Sequence, residues 1–187
     1  MEKEEFLIVL DYLPEGKYTD YKRTPLVQGL GTDHFTLLSV VPKEGASVKP
    51  LEKLFVGKGD RDKISLVKGV LPFPELTSNA KATLPDAIES IIRANEEKFL
   101  FFFNKCGSVS LRMHQLELLP GIGRKNFEEL LRERQKKPFE SLDEIPKRVK
   151  AVPDARKLLV QRIVKELEGT ERHHLFTRPP KLERTFP

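Results

Sequence analysis

A proline and two glycines lie between two stretches whose apolar residues recur at helical spacing, in the string Leu118-Leu119-Pro120-Gly121-Ile122-Gly123-Arg124-Lys125. Proline and glycine end the first stretch, and glycine permits a turn too tight for other residues. A helix that opens at Gly123 leaves its first amide N–H groups without acceptors, and its dipole adds partial positive charge there. Such a helix start is suited to phosphate. The spacing therefore predicts a phosphate site, with Arg124 and Lys125 adding charge at its edge.

The other residues that could carry chemistry do not form a catalytic group or a metal site. Cys106 is the single cysteine, which excludes an internal disulfide and a zinc site of several thiolates, so we expect a buried, inert thiol. The paired His173 and His174 have no further ligands nearby in sequence, and His34 and His114 are isolated structural residues. The sequence predicts no catalytic residue, no metal ligand and no enzyme.

Positive charge is concentrated in the second part of the chain. Residues 1–105 contain 15 Lys and Arg against 16 Asp and Glu, whereas residues 106–187 contain 18 against 12, a net charge of +6. A basic region of this kind favours a polyanionic partner such as nucleic acid. The acidic start of the chain and its short apolar runs argue against a signal peptide or a membrane span, so we expect a soluble cytoplasmic protein.

The elements before the turn are predicted to be strands. Five short apolar runs are separated by turn residues, among them a hairpin connection at residues 29–33 and a second turn at residues 57–61; the runs are Phe6–Leu10, Leu26–Gln28, Phe35–Val41, Leu54–Val56 and Ile64–Val67. Their regular spacing predicts a small closed β-barrel over residues 1–74, for which an oligonucleotide-binding (OB) barrel is one candidate. A secondary nucleic-acid contact could cluster around the second hairpin, at Lys58, Arg61, Lys63 and Lys68.

Helical spacing takes over near Pro74. A capping box at Thr83 and Asp86 predicts a long helix through Asn104, within connecting helices over residues 75–107. An all-helical region over residues 108–169 follows. Its helices are predicted at Ser110–Leu118, at Gly123–Arg134 with Arg132 and Arg134 facing water, and at Ser141–Val149, where Ser141 and Glu144 form a capping box. Asp154 is predicted to cap a last helix, which Gly169 ends. The basic, proline-containing tail, residues 170–187, is predicted to be extended or disordered.

A second, degenerate copy of the turn follows the first. Aligning Pro120 with Pro153 repeats the inward-facing positions at an offset of 33 residues, so that Phe127, Leu130 and Leu131 correspond to Val160, Ile163 and Val164. The turn itself changes, because Asp154 stands where Gly121 would admit a phosphate. We expect the first turn to bind and the second to be structural.

The Leu-Pro-Gly-Ile-Gly string resembles the helix-hairpin-helix module of DNA- and RNA-binding proteins. The resemblance implies contact through the amides of Gly121, Gly123, Lys125 and Asn126, with Ile122 pinning the turn and Arg124 assisting. The hairpin carbonyls of some relatives hold a monovalent cation; here those carbonyls would be the ones of Glu117, Leu119 and Ile122. A hairpin that only packs helices is the alternative. The candidate nucleic-acid site is thus Gly121, Ile122, Gly123, Arg124, Lys125 and Asn126.

Nearly the whole chain resembles an archaeal family called domain of unknown function 655. The matching strings include Val41-Pro42-Lys43, Gly57 to Lys63, Arg112 to Lys125, Lys137 to Ser141 and His174 to Arg178. The resemblance implies an OB-like barrel joined to a double helix-hairpin-helix, and RNA as a partner in preference to DNA.

Two rival functions remain open. DNA glycosylases use a similar hairpin with a nucleophilic lysine, here Lys125, and a downstream aspartate, here Asp143, 18 residues later. The charged segment between the two argues against an apolar base pocket. A protein-interaction adaptor in a ribonucleoprotein is the second alternative. The sequence does not indicate an oligomeric state.

Overall fold

The computed structural model describes residues 3–16 and 23–178. The fold is α+β, as predicted, with a five-stranded antiparallel sheet, five α-helices and a two-stranded hairpin among the described residues. The described residues pack as two compact units. The sheet unit contains those up to residue 88 and those from residue 165 on, and the turn unit contains residues 89–164. The boundaries of the units fall inside helices, unlike those predicted near residues 74, 107 and 169.

The sheet contains all five predicted strands, with the order β4-β1-β2-β3-β5 and antiparallel neighbours throughout. The strands are β1 (Phe6–Leu13), β2 (Leu26–Gly31), β3 (Leu37–Pro42), β4 (Lys53–Phe55) and β5 (Ile64–Val70). All six residues of the central strand β2 are buried. The strands share a buried apolar cluster that stabilises the sheet: Leu7, Val9, Val27, Leu38, Val40, Val48, Leu54, Val56 and Ile64.

The sheet is curled but does not close, so the predicted closed barrel is wrong at this point. Residues 57–61 connect β4 to β5, yet these two strands pair with β1 and β3 and not with each other. There is accordingly no second hairpin around which basic residues could cluster. The first connection also differs, because Gly29 and Gly31 belong to β2 and the turn follows at residues 32–36.

The turn between β2 and β3 is held by a buried acidic side chain. The carboxylate of Glu4, which is only 6% exposed, accepts hydrogen bonds from the backbone N–H groups of Asp33, His34 and Thr36 at 2.8–3.1 Å. Three convergent N–H donors compensate the cost of burying this carboxylate. No sequence pattern near Glu4 indicated that role.

Helix α1 (Ser78–Ala94) begins before the predicted capping box. The hydroxyl oxygen of Thr77 accepts the N–H of Ala80 at 3.0 Å and so caps the helix. Thr83 lies inside α1, where its hydroxyl donates to the carbonyl of Asn79 at 2.9 Å. The predicted box at Thr83 is therefore wrong.

The predicted long helix is interrupted at Asn95, where α1 gives way to α2 (Glu96–Lys105). The side-chain amide of Asn95 donates to the carbonyl of Ile91 at 3.0 Å, which competes with continuation of the helix. Two acidic residues then open α2, where they complement the dipole.

The predicted helix at Ser110–Leu118 is also wrong, and the region is not all-helical. A β-hairpin of β6 (Ser108–Ser110) and β7 (Met113–His114) comes first, followed by a 3-10 turn at Gln115–Leu118. Serine favours local hydrogen bonds over helix, and the stretch is too short to bury a helical face.

The remaining helices agree more closely with the sequence. Helix α3 spans Arg124–Lys136 and α5 spans Ala155–Glu168, where Gly169 ends it at φ +75°. Helix α4 is shorter than predicted, at Ile145–Arg148, because the carboxylate of Glu144 accepts the N–H of Glu140 and forms no capping box with Ser141.

The described part of the tail, residues 170–178, forms no helix or strand but is held in place. The carboxylate of Glu166, only 1% exposed, accepts the N–H groups of Leu175, Phe176 and Thr177 at 2.8–3.0 Å. The tail prediction for residues 179–187 falls outside the described residues.

Candidate nucleic-acid interface

The first turn, defined as residues 119–123, follows the 3-10 turn and leads into α3. Gly121 has φ +77°, a left-handed conformation that favours glycine, as the sequence predicted. The side chain of Ile122 is buried, and its N–H donates to the carbonyl of Leu119 at 3.1 Å. Ile122 therefore pins the turn and offers neither its side chain nor its N–H group to a ligand.

The start of α3 is open to solvent and has no side-chain cap. Gly123 is the N-cap residue and lacks a capping group. Five backbone N–H groups here find no acceptor among the described residues. They are those of Gly123, Arg124, Lys125 and Asn126 at the helix start and that of Gly121 in the turn before it. These donors lie at the positive end of a 13-residue helix, an arrangement that attracts anions.

Two cations flank these donors. Arg124 and Lys125 are both exposed on the first turn of α3. Arg124 forms an ion pair with Glu128 at 3.4 Å, a surface pair that stabilises the helix only slightly. Lys125 forms no ion pair with another described residue. Both side chains can therefore turn toward a bound phosphate at little cost.

Gly123 is not required by the packing of the chain itself. A Cβ atom built on Gly123 meets no heavy atom within 4 Å, and its φ of −78° suits any residue. The predicted tight turn thus needs a glycine at Gly121 alone. A side chain at Gly123 would therefore interfere only with a ligand that approaches from outside the chain.

Asn126 supports the turn as well as contributing an N–H group. Its side-chain amide donates to the carbonyl of Gly121 at 3.3 Å, from one helical turn further along the chain. The sequence predicted only the backbone contribution of Asn126.

His114 fixes the element that precedes the turn. Its Nδ1 accepts the N–H of Leu116 at 3.1 Å, while the carboxylate of Glu117 accepts the N–H of His114 at 2.7 Å. The ring lies against Phe127 of α3 with centroids 5.0 Å apart. Burial, and next the charge of Arg134, lower the pKa of His114 below its ordinary value. His114 is a structural residue, as predicted.

Arg134 is only partly exposed and packs against the chain, whereas the sequence predicted that it would face water. Its guanidinium donates to the carbonyls of Phe103 and Cys106, both at 3.1 Å, and lies 3.4 Å from His114 Nε2. Cys106 is buried and free, as predicted, and burial raises the pKa of its thiol. Arg134 thus links α2, the β-hairpin and α3 within the turn unit.

Arg162 is a further residue that the sequence did not single out. It is 2% exposed, and its guanidinium donates to the carbonyl of Leu118 at 2.9 Å. It therefore fixes the chain immediately before the first turn from α5. A long-range bond of this kind leaves no local signal in the sequence.

The second turn, residues 149–154, is closed where the first is open. One carboxylate oxygen of Asp154 accepts the N–H of Lys157 at 3.0 Å and caps α5, as predicted. Arg156, which aligns with Gly123, donates to Asp143 and to Glu96, the latter at 2.8 Å. These bonds lower the pKa of both Glu96 and Asp143.

The predicted repeat is visible in the buried positions. At the offset of 33 residues, Leu130 and Ile163 are both buried, and the other predicted pairs, Phe127 with Val160 and Leu131 with Val164, are half-buried in both copies. Three further pairs are buried in both copies: Leu116 and Val149, Leu119 and Val152, and Ile122 and Ala155. The two turns together line a cleft of about 410 Å³, with Pro120 to Ile122 on one side and Ala151, Pro153, Lys157 and Gln161 among the residues on the other.

Two of the four cations of the predicted secondary site are engaged within the sheet unit. Lys63 is engaged by Glu52 and by the carbonyl of Ser47, while Arg61 donates to the carbonyl of Gly57 at 3.0 Å. Lys58 and Lys68 are exposed. Two of the four predicted cations therefore stabilise loops of the sheet unit.

The hairpin carbonyl of Leu119 and the side chain of His174 have partners within the chain. The carbonyl of Leu119 accepts the N–H of Ile122, so it is already used within the turn. His174 Nδ1 lies 2.8 Å from the hydroxyl of Thr177. Among the residues that the structure describes, no three His, Cys, Asp or Glu side chains converge on a possible metal position.

Comparison with known proteins assigns this mixed α+β chain to a protein family. The family described as protein of unknown function DUF655 matches residues 3–178. The chain belongs to that family. It is 36% identical over 177 residues to the uncharacterized protein MJ0038 of Methanocaldococcus jannaschii, covering 94% of this chain and 80% of that protein. The crystal structure of Af1531 from Archaeoglobus fulgidus has 40% identity and a TM-score of 0.88, covering 94% of this chain and 100% of that one.

No helix in the described part of the chain is long and apolar enough to cross a membrane.

Proposed function

We propose that this protein binds nucleic acid without catalysing a reaction, and that it contacts backbone phosphates through the first turn and the start of α3. The observation that carries the proposal is the uncapped helix start, whose N–H donors lack acceptors among the described residues beside two exposed cations. In this interpretation residues 108–169 are a double helix-hairpin-helix with one competent hairpin, and the curled sheet is an OB-like half-barrel. RNA is favoured over DNA through the family resemblance.

The second turn supports this assignment by contrast. Asp154 supplies, from within the chain, the anion that α5 attracts at its start. Asp154 aligns with Gly121 at the offset of 33 residues, and the N-cap residue of α3 is Gly123; neither glycine has a side chain. An external phosphate would take the place of such an internal carboxylate at α3.

A glycosylase reaction fits the surroundings of Lys125 and Asp143 poorly. Asp143 is engaged by Arg156, which in turn holds Glu96, so this carboxylate serves to join three segments of the turn unit. A glycosylase would need a base pocket that encloses Lys125, but Lys125 is exposed at the helix start. A positioning role in the fold accounts for Asp143.

One observation favours the adaptor as a second candidate. Strand β5 is an outer strand of the sheet, and its Leu66 and Val70 are 55% and 67% exposed. An outer strand with exposed apolar side chains can pair with a partner's strand. The adaptor function would use this strand and would leave the first turn unused.

Titration of the full chain against labelled RNA and DNA, single-stranded and duplex, at several salt concentrations tests the proposal. If the turn engages two or three phosphates, log K should fall with log salt at a slope of about −2 to −3. An adaptor would show no binding with that dependence. Substitution of Leu66 would instead abolish the binding of the adaptor's protein partner.

Gly123→Asp tests the site itself. We expect it to weaken binding at least about tenfold on every sequence, because a carboxylate then occupies the donors and repels phosphate. Its stability should be unchanged or higher, since aspartate is a good N-cap. Ala82→Asp, an exposed position on α1, makes the same change of net charge and is the matched control. Full affinity in a folded Gly123→Asp protein would refute the proposed site.

A further inference from the structure

The tip of the β6–β7 hairpin exposes an apolar side chain that the fold does not use. Leu111 is fully solvent-exposed at 106%, and the neighbouring Met113 is 38% exposed. Arg112 lies between them and is exposed as well. Burying a leucine side chain is favourable, so a structured chain that presents one at a tip gains from a partner that covers it.

The hairpin is held firmly on the same body as the proposed phosphate site. Its two ends are joined by the bond from the N–H of Gln115 to the carbonyl of Gly107, at 3.0 Å. Arg134 of α3 contacts the chain on both sides of the hairpin, at Cys106 and at His114. The tip and the start of α3 therefore belong to one compact unit.

The tip also lies within reach of the nucleotides that the first turn would hold. Leu111 precedes His114 by three residues, which span at most about 10 Å of chain. The His114 ring lies against Phe127, which is four residues, or about 6 Å of helix, beyond Gly123. These spans place the tip within roughly 30 Å of the start of α3. Since successive bases are about 3.4 Å apart, a strand of about eight nucleotides held at the first turn is long enough to reach the tip.

The chemistry of the tip favours nucleic acid over protein. Residues 105–116 contain Lys105 and Arg112 and no Asp or Glu, which suits a polyanion. One leucine and a partly exposed methionine offer far less than the roughly 800 Å² per partner of a stable protein interface. A single aliphatic side chain beside an arginine is instead the form of a wedge that enters between bases.

We propose that Leu111 is such a wedge, and that the protein prefers a nucleic acid helix interrupted by a bulge or mismatch. This inference rests on the proposed function, because the first turn must hold the phosphates beside the wedge. An interrupted step is already poorly stacked, so the wedge enters it at lower cost than a regular duplex. Arg112 would lie against the phosphates on either side of the opened step.

The test compares a regular duplex with the same duplex carrying a single unpaired nucleotide, as RNA and as DNA, by anisotropy with the full chain. We expect the wild type to prefer the bulged probe by about tenfold, the effect of burying one leucine. Leu111→Ser should abolish this preference and keep the affinity for the regular duplex. Leu111 makes no packing contact to lose, so the variant should fold. Leu66→Ser on β5, another exposed leucine, is the control.

A second measurement reports the wedge directly. With 2-aminopurine beside the bulge, the wild type should raise the fluorescence by unstacking the base, and Leu111→Ser should not. Equal preference and equal fluorescence in the two proteins would overturn the wedge while leaving the phosphate site in place. No binding of any probe by the wild type would overturn both proposals. A defect of Leu111→Ser in self-association alone would assign the tip to a protein contact and overturn the wedge.

Discussion

The two turns of the turn unit share their buried positions and differ at the helix that follows. In the first copy, Gly123 leaves the start of α3 uncapped and open. In the second, Asp154 caps α5, and Arg156 is fixed between two carboxylates. The comparison shows that the repeat preserves what packs the helices, while the residues at each helix start decide whether an external anion has a place to bind.

The difference also separates stability from binding. Interactions of the second turn are internal, so removing them should weaken the fold and leave affinity nearly intact. The donors of the first turn serve nothing within the described chain, so altering them should do the opposite. Each of the following experiments tests that separation.

The largest effect on stability is expected from Arg156→Gln. Arg156 joins α2, the segment before α4 and α5 through Glu96 and Asp143, and its side chain is only 14% exposed. Its loss leaves Glu96 without a cation, and we expect the free energy of unfolding to fall by about 2 kcal/mol. Urea denaturation measures this change. Nucleic-acid affinity of the folded protein should stay within about twofold of wild type.

The matched substitution in the first copy is Arg124→Gln. The side chain of Arg124 is 89% exposed, so its loss should leave the urea midpoint almost unchanged. Affinity should fall, and the slope of log K against log salt should become shallower by about one unit. If Arg156→Gln weakened binding more than Arg124→Gln, the division of roles between the turns would be wrong.

A smaller loss of stability is expected from Asp154→Ala. This substitution removes the cap of α5, which should cost about 1 kcal/mol. Thermal or urea unfolding would detect it, with Asp154→Asn as a control that retains a capping oxygen. Combined with Gly123→Asp, which adds a cap to α3, stability should recover while binding stays lost. A protein that regained binding in this double variant would contradict the proposed site.

The smallest expected effect is a difference in stability between the two turns in mild acid. The folded-state pKa of His114 lies below its ordinary value of 6.5, so the folded protein binds fewer protons than the unfolded chain in that interval. The resulting stability is present above about pH 6.5 and is lost as the pH falls through the lowered pKa. His114→Gln should remove that part of the pH dependence, measured by urea unfolding between pH 5 and pH 7.5.

The second turn should respond to acid only later. The pKa values of Glu96 and Asp143 are lowered from 4.5 and 3.8, so their pairing with Arg156 persists until the pH falls below those values. Hydrogen exchange should therefore show earlier opening at residues 115–123 than at residues 149–156 as the pH is lowered. Simultaneous opening of both segments would remove the distinction.

The elements predicted correctly from the sequence depend on signals within a few residues. The five strands follow apolar runs, Gly121 was identified by its neighbours, and Asp154 was identified as a cap three residues before Lys157. The repeat at an offset of 33 was also visible, because buried positions constrain residue type.

The errors concern contacts between distant residues. Arg134, Arg156 and Arg162 resemble surface cations in sequence, yet each reaches a carbonyl or carboxylate many positions away. Whether β4 and β5 pair depends on how the sheet curls, which no local pattern specifies. The β6–β7 hairpin was mistaken for a helix because two strands of two or three residues carry almost no periodicity.

The buried carboxylates of Glu4 and Glu166 give the molecule two internal standards of anion recognition. Each is surrounded by three consecutive or nearly consecutive backbone amides, at 2.8–3.1 Å around Glu4 and 2.8–3.0 Å around Glu166. A phosphate oxygen seated on α3 should adopt similar separations in a complex. In a co-crystal, N···O separations well outside this range would indicate that side chains alone, and not the peptide backbone, contact the phosphate.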